Sequence, residues 1–239
     1  MSERFYCPES PRAGRYRLGP DESRHLVRVC RLGVGDRVEI FDGRGFATAA
    51  EIAHTSTEGA ELVAIGEPIV SGPSSFTLVL ATAIPKAERF DWLVEKATEL
   101  GVARLIPIVA ERSVVVPRGS KLERLRRSIV EASKQCRRSR LMELAEPVEW
   151  GELLGAFPQA ARLLAEPRGA PAARWPAICR GSELVLAVGP EGGFTGAESE
   201  RAVETGWFPI RLADNILRVE TAGLAGCAAL LSRVPEKDS

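Results

Sequence analysis

A glycine-rich segment is the first place where this sequence could bind a ligand. It reads VGPEGGFTGAE over residues 188–198 and follows the apolar letters ELVLAV. Gly189, Gly192 and Gly193 carry no side chains, so backbone N–H and C=O groups could contact a ligand directly. The segment contains neither GxGxxG nor GK followed by Ser or Thr, so the familiar phosphate-binding loops do not apply. Taken alone, the glycines favour a tight strand-to-helix turn over a ligand cradle.

A second candidate segment, LADNILRVETAGLAGCAALL at residues 212–231, joins a strand-like stretch to a helix-like one. Its polar residues Asn215, Arg218, Glu220 and Thr221 stand among apolar neighbours. The helix that follows is rich in Ala and Gly, and Gly is unfavourable inside a helix, so one face is expected to meet another backbone closely. Tight packing within the chain, or a ligand loop beside a subunit interface, would both explain this composition.

Positive charge is concentrated in two places, although the formal net charge of the 239-residue chain is zero. Residues 118–140 contain nine Lys and Arg residues against two Glu, and six arginines lie between residues 12 and 31. Such a run usually forms a solvated helix face, whereas two clusters together are typical of a groove for a polyanion. Lys86, just past a strand-like stretch, is either a solvated loop lysine or a cation at a binding edge.

The overall composition argues against several kinds of site. Hydrophobic residues make up 45% of the chain and charged residues 27%, which is typical of a soluble globular protein. The five cysteines are scattered without a CxxC pair, which indicates a reducing compartment rather than a disulfide framework. Two histidines are too few for the usual metal sites, so no metal is expected. The N-terminus lacks the apolar core of a signal peptide, and AGLAGCAALL is too short to span a bilayer, so we expect a cytoplasmic protein.

The hydrophobic pattern predicts a small β-rich domain followed by a larger α/β domain. In the first, DRVEIFDGRGFATAAEI alternates apolar and polar residues on both sides of Asp42-Gly43, which predicts a hairpin within a small barrel. Residues 66–75, GEPIVSGPSS, have the composition of a linker. A buried strand at 76–84, the helix ERFDWLVEKATEL ending at Gly101, and the strand ARLIPIVA then predict a βαβ unit and a parallel sheet.

Strand-like and helix-like stretches alternate in the rest of the chain, which is typical of an open α/β domain. A long helix is predicted from about Lys121 to Arg138. Strands are expected at MELAEPV, ARLLAE, ELVLAV and FPIRLA, with EWGELLGAF helical and PRGAPAARWP a loop. Thr195 and Glu198 have the spacing of a capping box, which predicts a helix near 196–206, and a final helix is expected from about Thr221.

Five motifs in a fixed order resemble one family. They are Lys86 with ERFDWLVEKATELGV, ERS at 111–113, EASKQCRR at 131–138, VGPEGGF and ILRVETA. Together they are similar to the RsmE family of 16S ribosomal RNA methyltransferases, within the SPOUT superfamily. The stretch SRHLVRVCRLGVGDRVEIFDG also resembles the small domain of that family, so the resemblance covers nearly the whole chain. No single motif is decisive, whereas five in order are specific.

The resemblance implies a fold and an activity. Family members transfer a methyl group from S-adenosyl-L-methionine to N3 of a uridine in the decoding region of 16S rRNA. A PUA-like β-barrel at residues 1–70 would bind RNA, and residues 74–239 would form a SPOUT-type open parallel sheet with a C-terminal trefoil knot, a rare topology. Members work as homodimers, with the cofactor at the knot near the subunit interface.

The resemblance also assigns residues by position. The cofactor residues would be Leu164, Glu166 and Pro167 in a first loop, Val188, Gly189, Glu191, Gly192 and Gly193 in a second, and Leu212, Asn215, Ile216, Leu217 and Thr221 in and after a third. The residues expected to contact RNA are Arg28, Arg31, Lys86, Arg124, Arg127, Gln135 and Arg138. In the third loop the family often has Gly and Arg where this chain has Ala213 and Asn215, so this chain lacks a positive charge at position 215.

Two residues are the candidates for the chemistry. Uracil N3 has to lose its proton, and a nearby cation would stabilise the resulting anion, a role that we predict for Arg218. Glu220 would orient Arg218 or assist proton removal, and Glu191 would bind the cofactor or only stabilise its turn. Two alternatives stay open: a SPOUT methyltransferase for another RNA such as tRNA, and a non-catalytic RNA-binding assembly factor. A nucleotide-dependent oxidoreductase is disfavoured because GxGxxG is missing.

Overall fold

The computed structural model describes residues 3–9, 11, 14–71, 76–86, 88–114, 119–178 and 181–233. The chain divides into two compact units. The first comprises Met1–Gly72 together with Val130–Leu141, and the second comprises Pro73–Ile129 and Met142–Ser239. The segment Val130–Leu141 therefore belongs to the first unit, which a division near residue 70 alone would not include.

The first unit is built on a mixed sheet. Its strands are β1 (Arg4–Tyr6), β2 (Arg15–Arg17), β3 (Arg37–Phe41), β4 (Phe46–His54), β5 (Glu61–Ala64) and β6 (Ile69–Val70). The order is β1-β3-β4-β5-β2, and β6 pairs with the start of β4. Strand β6 lies inside residues 66–75, which were expected to be a linker. Strand β1 runs parallel to β3, and the other pairs are antiparallel. A short helix α1 (Pro20–Arg24) leads into a π-helical turn, His25–Val29.

The predicted hairpin at Asp42-Gly43 is confirmed. Strands β3 and β4 pair across it, and Gly43 has a φ of 77°, a conformation that glycine adopts without strain. The Asp42 carboxylate accepts hydrogen bonds from the backbone N–H groups of Arg44 and Phe46 at 2.7 and 3.0 Å. Partial burial raises the pKa of Asp42, but these bonds outweigh it and lower the pKa below its ordinary value. The turn is therefore fixed by a carboxylate that stays ionised.

The second unit contains a parallel sheet. Its strands are β7 (Thr77–Ala83), β8 (Arg104–Val109), β9 (Glu143–Leu144), β10 (Val148–Glu149), β11 (Ala161–Ala170), β12 (Glu183–Val188) and β13 (Phe208–Ile210). The order is β10-β8-β7-β12-β11-β13, with β9 also on β8, and every pair is parallel. The helices of this part of the chain are α2 (Arg89–Glu99), α3 (Gly119–Gln135), α4 (Trp150–Leu153), α5 (Gly196–Glu204) and α6 (Val219–Leu231).

The βαβ unit is confirmed, since β7 and β8 are parallel neighbours joined through α2. The apolar face of α2 is buried at Phe90, Leu93, Val94 and Ala97, and Gly101, with a φ of 88°, ends the helix. The capping box that was predicted for α5 is also formed, because Thr195 and Glu198 exchange side-chain and backbone hydrogen bonds.

Several boundaries differ from the prediction, including that of FPIRLA, whose strand β13 ends at Ile210. Helix α3 ends at Gln135 rather than Arg138, because Arg137 takes a φ of 60° and the N–H of Arg138 donates to the Ser133 carbonyl at 3.0 Å, a Schellman stop. MELAEPV forms two short strands on β8 instead of one strand. Helix α4 ends at Leu153, well before the end of EWGELLGAF. Strand β11 continues into the expected Pro-rich loop as far as Ala170.

Several absences hold for the described residues. None of their helices is long and apolar enough to cross a membrane. No three His, Cys, Asp or Glu side chains among them group as a metal site would require. Cys7, Cys30, Cys136 and Cys227 are free thiols, and Cys179 lies outside the described residues.

Candidate functional site

In the second unit, strands β12 and β13 end level with Ala165 of β11, the point after which the register of β11 against β13 shifts. Ala165 of β11 pairs with Val188, the last residue of β12, and also with Ile210, the last residue of β13. The carboxyl ends of adjacent parallel strands are where open α/β sheets bind ligands. The chain therefore leaves the sheet at three adjacent points, and the segments that follow enclose one cavity.

This cavity has a volume of about 230 Å³. A single water molecule needs only about 10–15 Å³ on this measure, so the cavity has room for a small organic ligand. The residues that line it come from the three predicted loops and the start of α6: Ala165, Glu166, Pro167, Val188, Gly189, Pro190, Glu191, Gly192, Gly193, Phe194, Leu212, Ala213, Asn215, Ile216, Leu217, Val219 and Ala222.

The first loop is a bulge in β11. The register of β11 against β13 shifts between Ala165 and Ala170. Gly169 lies within this bulge, and a Cβ atom there would come within 2.5 Å of the Ile210 carbonyl carbon, so the two backbones approach too closely for any other residue. The bulge exposes Glu166 to the cavity, and the Ser199 hydroxyl of α5 donates to its carboxylate at 2.7 Å.

The second loop is a tight turn whose backbone faces the cavity. The N–H of Gly193, which has a φ of 69°, donates to the Pro190 carbonyl at 2.8 Å. A Cβ atom on Gly189 would lie 2.9 Å from the Phe194 ring. That ring is buried and packs on Trp150 with centroids 4.6 Å apart. The glycines therefore form the tight turn and also leave backbone groups open to the cavity. The two interpretations of the sequence, a tight turn and a ligand cradle, are compatible.

The third loop is the most exposed wall of the cavity. Ile216 lines the cavity yet is 87% exposed, which is unusual for an isoleucine. Asp214 points to solvent and forms an ion pair with Arg211 at 3.2 Å. The loop ends at Arg218, which is exposed, has an extended backbone and precedes the first turn of α6.

Glu220 is the buried carboxylate of this region, only 7% exposed. Its Oε1 lies 3.7 Å from Nε of Arg89, at the start of α2, and its Oε2 has no hydrogen-bond partner among the described residues. The predicted pairing of Glu220 with Arg218 is therefore not found. Arg218 precedes the helix, whereas Glu220 lies in its first turn and faces α2. The negative charge at a helix N-terminus is favourable.

The charge of the cavity is one-sided. Glu166 and Glu191 line it, and its lining contains no Lys, Arg or His. Apart from Asn215, its remaining walls are apolar side chains or glycine backbone. A phosphate-bearing ligand would lack a cation here, whereas a cationic nucleoside would find carboxylates, apolar walls for its ring and backbone groups for its polar edge.

Most of the cofactor residues predicted from the resemblance line this cavity. The exceptions are Leu164, which is fully buried in β11, and Thr221, which is exposed on α6. Phe194, Val219 and Ala222 also line the cavity but lie outside the three predicted loops, although Phe194 directly follows the second of them. Neither Arg218 nor Glu220 is part of the lining.

The predicted RNA contacts of the first unit differ in exposure. Arg28 and Arg31 are exposed, and neither forms an ion pair with a described residue. Arg31 also has a φ of 55°, which is uncommon for an arginine. Gln135 is exposed beside a polar cavity that Arg4, His25 and Lys134 also line. Arg138 is half-buried, and burial lowers its pKa.

The predicted RNA contacts of the second unit also differ. Arg124 of α3 is paired with Asp91 of α2. Arg127, on the same helix, is exposed without an ion pair to a described residue. Lys86, beyond the end of β7, is likewise exposed.

The chain matches two protein-family models. Residues 72–231 match the RNA methyltransferase domain, and residues 18–65 match the RNA methyltransferase PUA domain. Among relatives, ribosomal RNA small subunit methyltransferase E of Synechocystis is 33% identical over 86% of this chain and 69% of its own length. The protein of the same name from Bacillus subtilis is 28% identical over 88% of this chain and 87% of its own.

Solved structures agree with these matches. Ribosomal RNA small subunit methyltransferase E of Neisseria gonorrhoeae, bound to S-adenosyl methionine, has a TM-score of 0.88 at 30% identity and covers 97% of this chain and 98% of its own. A methyltransferase of Legionella pneumophila with bound cofactor has a TM-score of 0.90 at 26% identity, covering 99% of each chain. The parallel α/β sheet and the PUA domain are thus those of known RNA methyltransferases, and the chain belongs to the RsmE family of ribosomal RNA small subunit methyltransferases.

Proposed function

We propose that this protein methylates N3 of a uridine in the decoding region of 16S rRNA, with S-adenosyl-L-methionine as methyl donor. The observation that carries the proposal is the cavity at the ends of β11, β12 and β13, in which two carboxylates stand without a cation. This charge suits a ligand with a sulfonium and an amino group and disfavours dinucleotides, whose phosphates would meet only Glu166 and Glu191. Family membership supplies the substrate part of the proposal.

The residues that would hold the cofactor are those of the three loops. Gly189, Gly192 and Gly193 would offer backbone groups, Ile216 and Leu217 would cover the ring, and Glu166 and Glu191 would accept hydrogen bonds from its polar groups. When bound, the cofactor supplies a methyl group already activated by a positively charged sulfur. The protein's main task is then to orient and desolvate the uridine.

Arg218 is the residue that we propose to stabilise the uracil anion. It is exposed, lies at the end of the third loop and forms no ion pair with a described residue, so its guanidinium is available to a carbonyl oxygen next to N3. A cation there would favour loss of the N3 proton.

Of the two roles that the sequence indicated for Glu220, orientation of Arg218 is not supported, because Glu220 pairs with Arg89 instead. Its ion pair with Arg89 joins the first turns of α6 and α2, and its free Oε2 can accept one more hydrogen bond. We propose that it assists proton removal, while Arg89 holds its carboxylate in place.

Assembly and location complete the proposal. We propose that residues 1–70 form the PUA-like RNA-binding domain, that residues 74–239 form the methyltransferase domain with a trefoil knot, and that the protein acts in the cytoplasm as a homodimer. The exposed side of α6 supports the homodimer, because Thr221, Ala225 and Ala228 are small and lie on one face where a second backbone can approach. Arg28, Arg31, Lys86, Arg124, Arg127 and Gln135 are the exposed candidates for RNA contacts, and of these Arg124 is paired with Asp91.

The test is mass-spectrometric mapping of methylated nucleotides in small-subunit rRNA from cells with and without this protein. A single N3-methyluridine that disappears with the protein would support the proposal. A change found only in tRNA would favour a different SPOUT substrate. Unmodified RNA together with absent S-adenosylmethionine binding would favour a non-catalytic assembly factor.

Arg218→Ala tests the mechanism in the purified protein. The expected result is a fall in the methylation rate of roughly a hundredfold or more, the usual effect of losing an anion-stabilising group. Cofactor binding should change little, since Arg218 does not line the cavity. Unchanged methylation would exclude Arg218 from the chemistry.

A further inference from the structure

The turn that follows β8 is hydrogen-bonded to the second loop. Residues 110–113 form this turn, and Nη1 of Arg112 donates a hydrogen bond to the Gly192 carbonyl at 2.7 Å. The aliphatic part of the same side chain lies along the loop, since a Cβ atom on Gly192 would be 3.2 Å from Cδ of Arg112. The arginine therefore contacts the loop through both its charge and its carbon chain.

A second bridge joins the same two segments. The N–H of Glu111 donates to Oε1 of Glu198 at 2.9 Å, while Oε2 of Glu198 accepts from the N–H of Thr195 at 2.8 Å. One carboxylate thus caps α5 and also holds the turn. The second loop is therefore fastened to the turn on both sides, at Gly192 and at Glu198.

The turn is itself well fixed. The N–H of Ala110 donates to the Ser113 hydroxyl at 2.9 Å, and the N–H of Ser113 donates to the Ala110 carbonyl at 2.9 Å. Ala110 is buried against the core of the second unit. Because its turn is held by these hydrogen bonds, Arg112 can restrain the second loop, whereas an arginine on an unsupported loop could not.

We propose that Arg112 is a positioning residue of the cofactor site: it holds the Gly189–Gly193 loop in its binding conformation without touching the cofactor. Adjacent glycines lose much conformational freedom on ordering, and a loop ordered in advance spares the ligand that loss. Arg112 does not line the cavity, so its effect passes through the Gly192 carbonyl. This inference rests on the proposed function, because it presumes that S-adenosylmethionine binds there.

The experiment is calorimetric titration of the full-length protein with S-adenosylmethionine. Arg112→Ala should weaken binding about tenfold, as expected for loss of a charge-assisted hydrogen bond. Arg112→Lys keeps one donor and should recover part of the affinity. Arg201→Ala is the matched control, because Arg201 is exposed on α5 and forms no ion pair with a described residue.

Two further readouts separate positioning from a general loss of stability. With Arg112→Ala the KM for the cofactor should rise while kcat at saturating cofactor stays near wild type. Hydrogen exchange at the Gly193 amide, which donates to Pro190 in the closed turn, should become faster with little change in Tm.

The outcomes distinguish the two proposals. If the wild-type protein does not bind S-adenosylmethionine, the proposed function fails. If the wild-type protein binds it and Arg112→Ala binds equally well, the positioning role of Arg112 is wrong while the function stands. If Arg112→Ala weakens only RNA binding, Arg112 is an RNA contact, and the inference is overturned as well.

Discussion

The cofactor cavity and the basic helix α3 differ in where their chemistry resides. The cavity is built mainly from backbone groups and apolar side chains of three loops, with Glu166, Glu191 and Asn215 as its polar side chains, and no Lys, Arg or His lines it. Helix α3 presents long charged side chains, and many of them are already paired. The pairs are Arg124 with Asp91, Arg126 with Glu123 and Glu146, and Lys134 with Glu22 and Glu131, and just beyond the helix Arg137 pairs with Glu39.

This difference shows that local patterns predict turn geometry better than they predict the free charge of a helix. The conformation of a glycine-rich turn after a buried strand is set by residues adjacent in sequence. The letters VGPEGGF are therefore sufficient to predict a tight turn. The charge of a helix depends on carboxylates far away in the chain. Glu22 and Glu39 are about a hundred residues from the cations they neutralise, so counting the charges of residues 118–140 overstates the free positive charge.

The largest expected effect on binding comes from disturbing the backbone of the cavity. Gly189→Ala would bring a Cβ atom within 2.9 Å of the Phe194 ring and 3.2 Å of its N–H nitrogen. Phe194 cannot yield easily because it is packed on Trp150. Overpacking of this kind costs about 2 kcal/mol, so S-adenosylmethionine should bind roughly thirtyfold more weakly by calorimetry.

Gly196→Ala is the matched control for this substitution. Gly196 is the first residue of α5, and no atom lies within 4 Å of a Cβ built there. Alanine also favours the helix, so binding should match wild type. Equal binding by both variants would mean that the second loop does not hold the cofactor.

Local sequence patterns predicted the β3–β4 hairpin, the βαβ unit and the capping box of α5, because each depends on local spacing. Most of the cavity lining was predicted instead from the resemblance to the family. Sequence patterns did not predict the ion-pair partner of Glu220. The nearest cation in sequence is Arg218, but the helix start between them turns the two side chains apart, and Arg89 reaches Glu220 from α2. Strand β11 was likewise predicted too short, because its bulge depends on contact with Ile210, more than forty residues away.

A smaller effect should separate two arginines of the same helix. Arg127 forms no ion pair with a described residue, whereas Arg124 is held by Asp91. If α3 contacts RNA, Arg127→Ala should weaken binding to a small-subunit rRNA fragment about three- to fivefold. The slope of the logarithm of the binding constant against the logarithm of the salt concentration should fall in magnitude by about one. Arg124→Ala should do less, because Asp91 already offsets its charge. Equal losses would show that RNA displaces Asp91, and no loss from either would show that α3 is a solvated face.

The smallest effect should have the opposite sign. Asp91→Asn keeps the shape of the side chain but removes the carboxylate that faces Arg124 and Lys121. Both cations then become available, so RNA affinity should rise about twofold at low salt and its salt dependence should steepen. Glu200→Gln changes the net charge equally from an exposed position on α5 without an ion pair among the described residues, and it should leave affinity unchanged. If both variants raise affinity alike, RNA responds to the total charge of the protein, and the paired cations of α3 have no special place in binding.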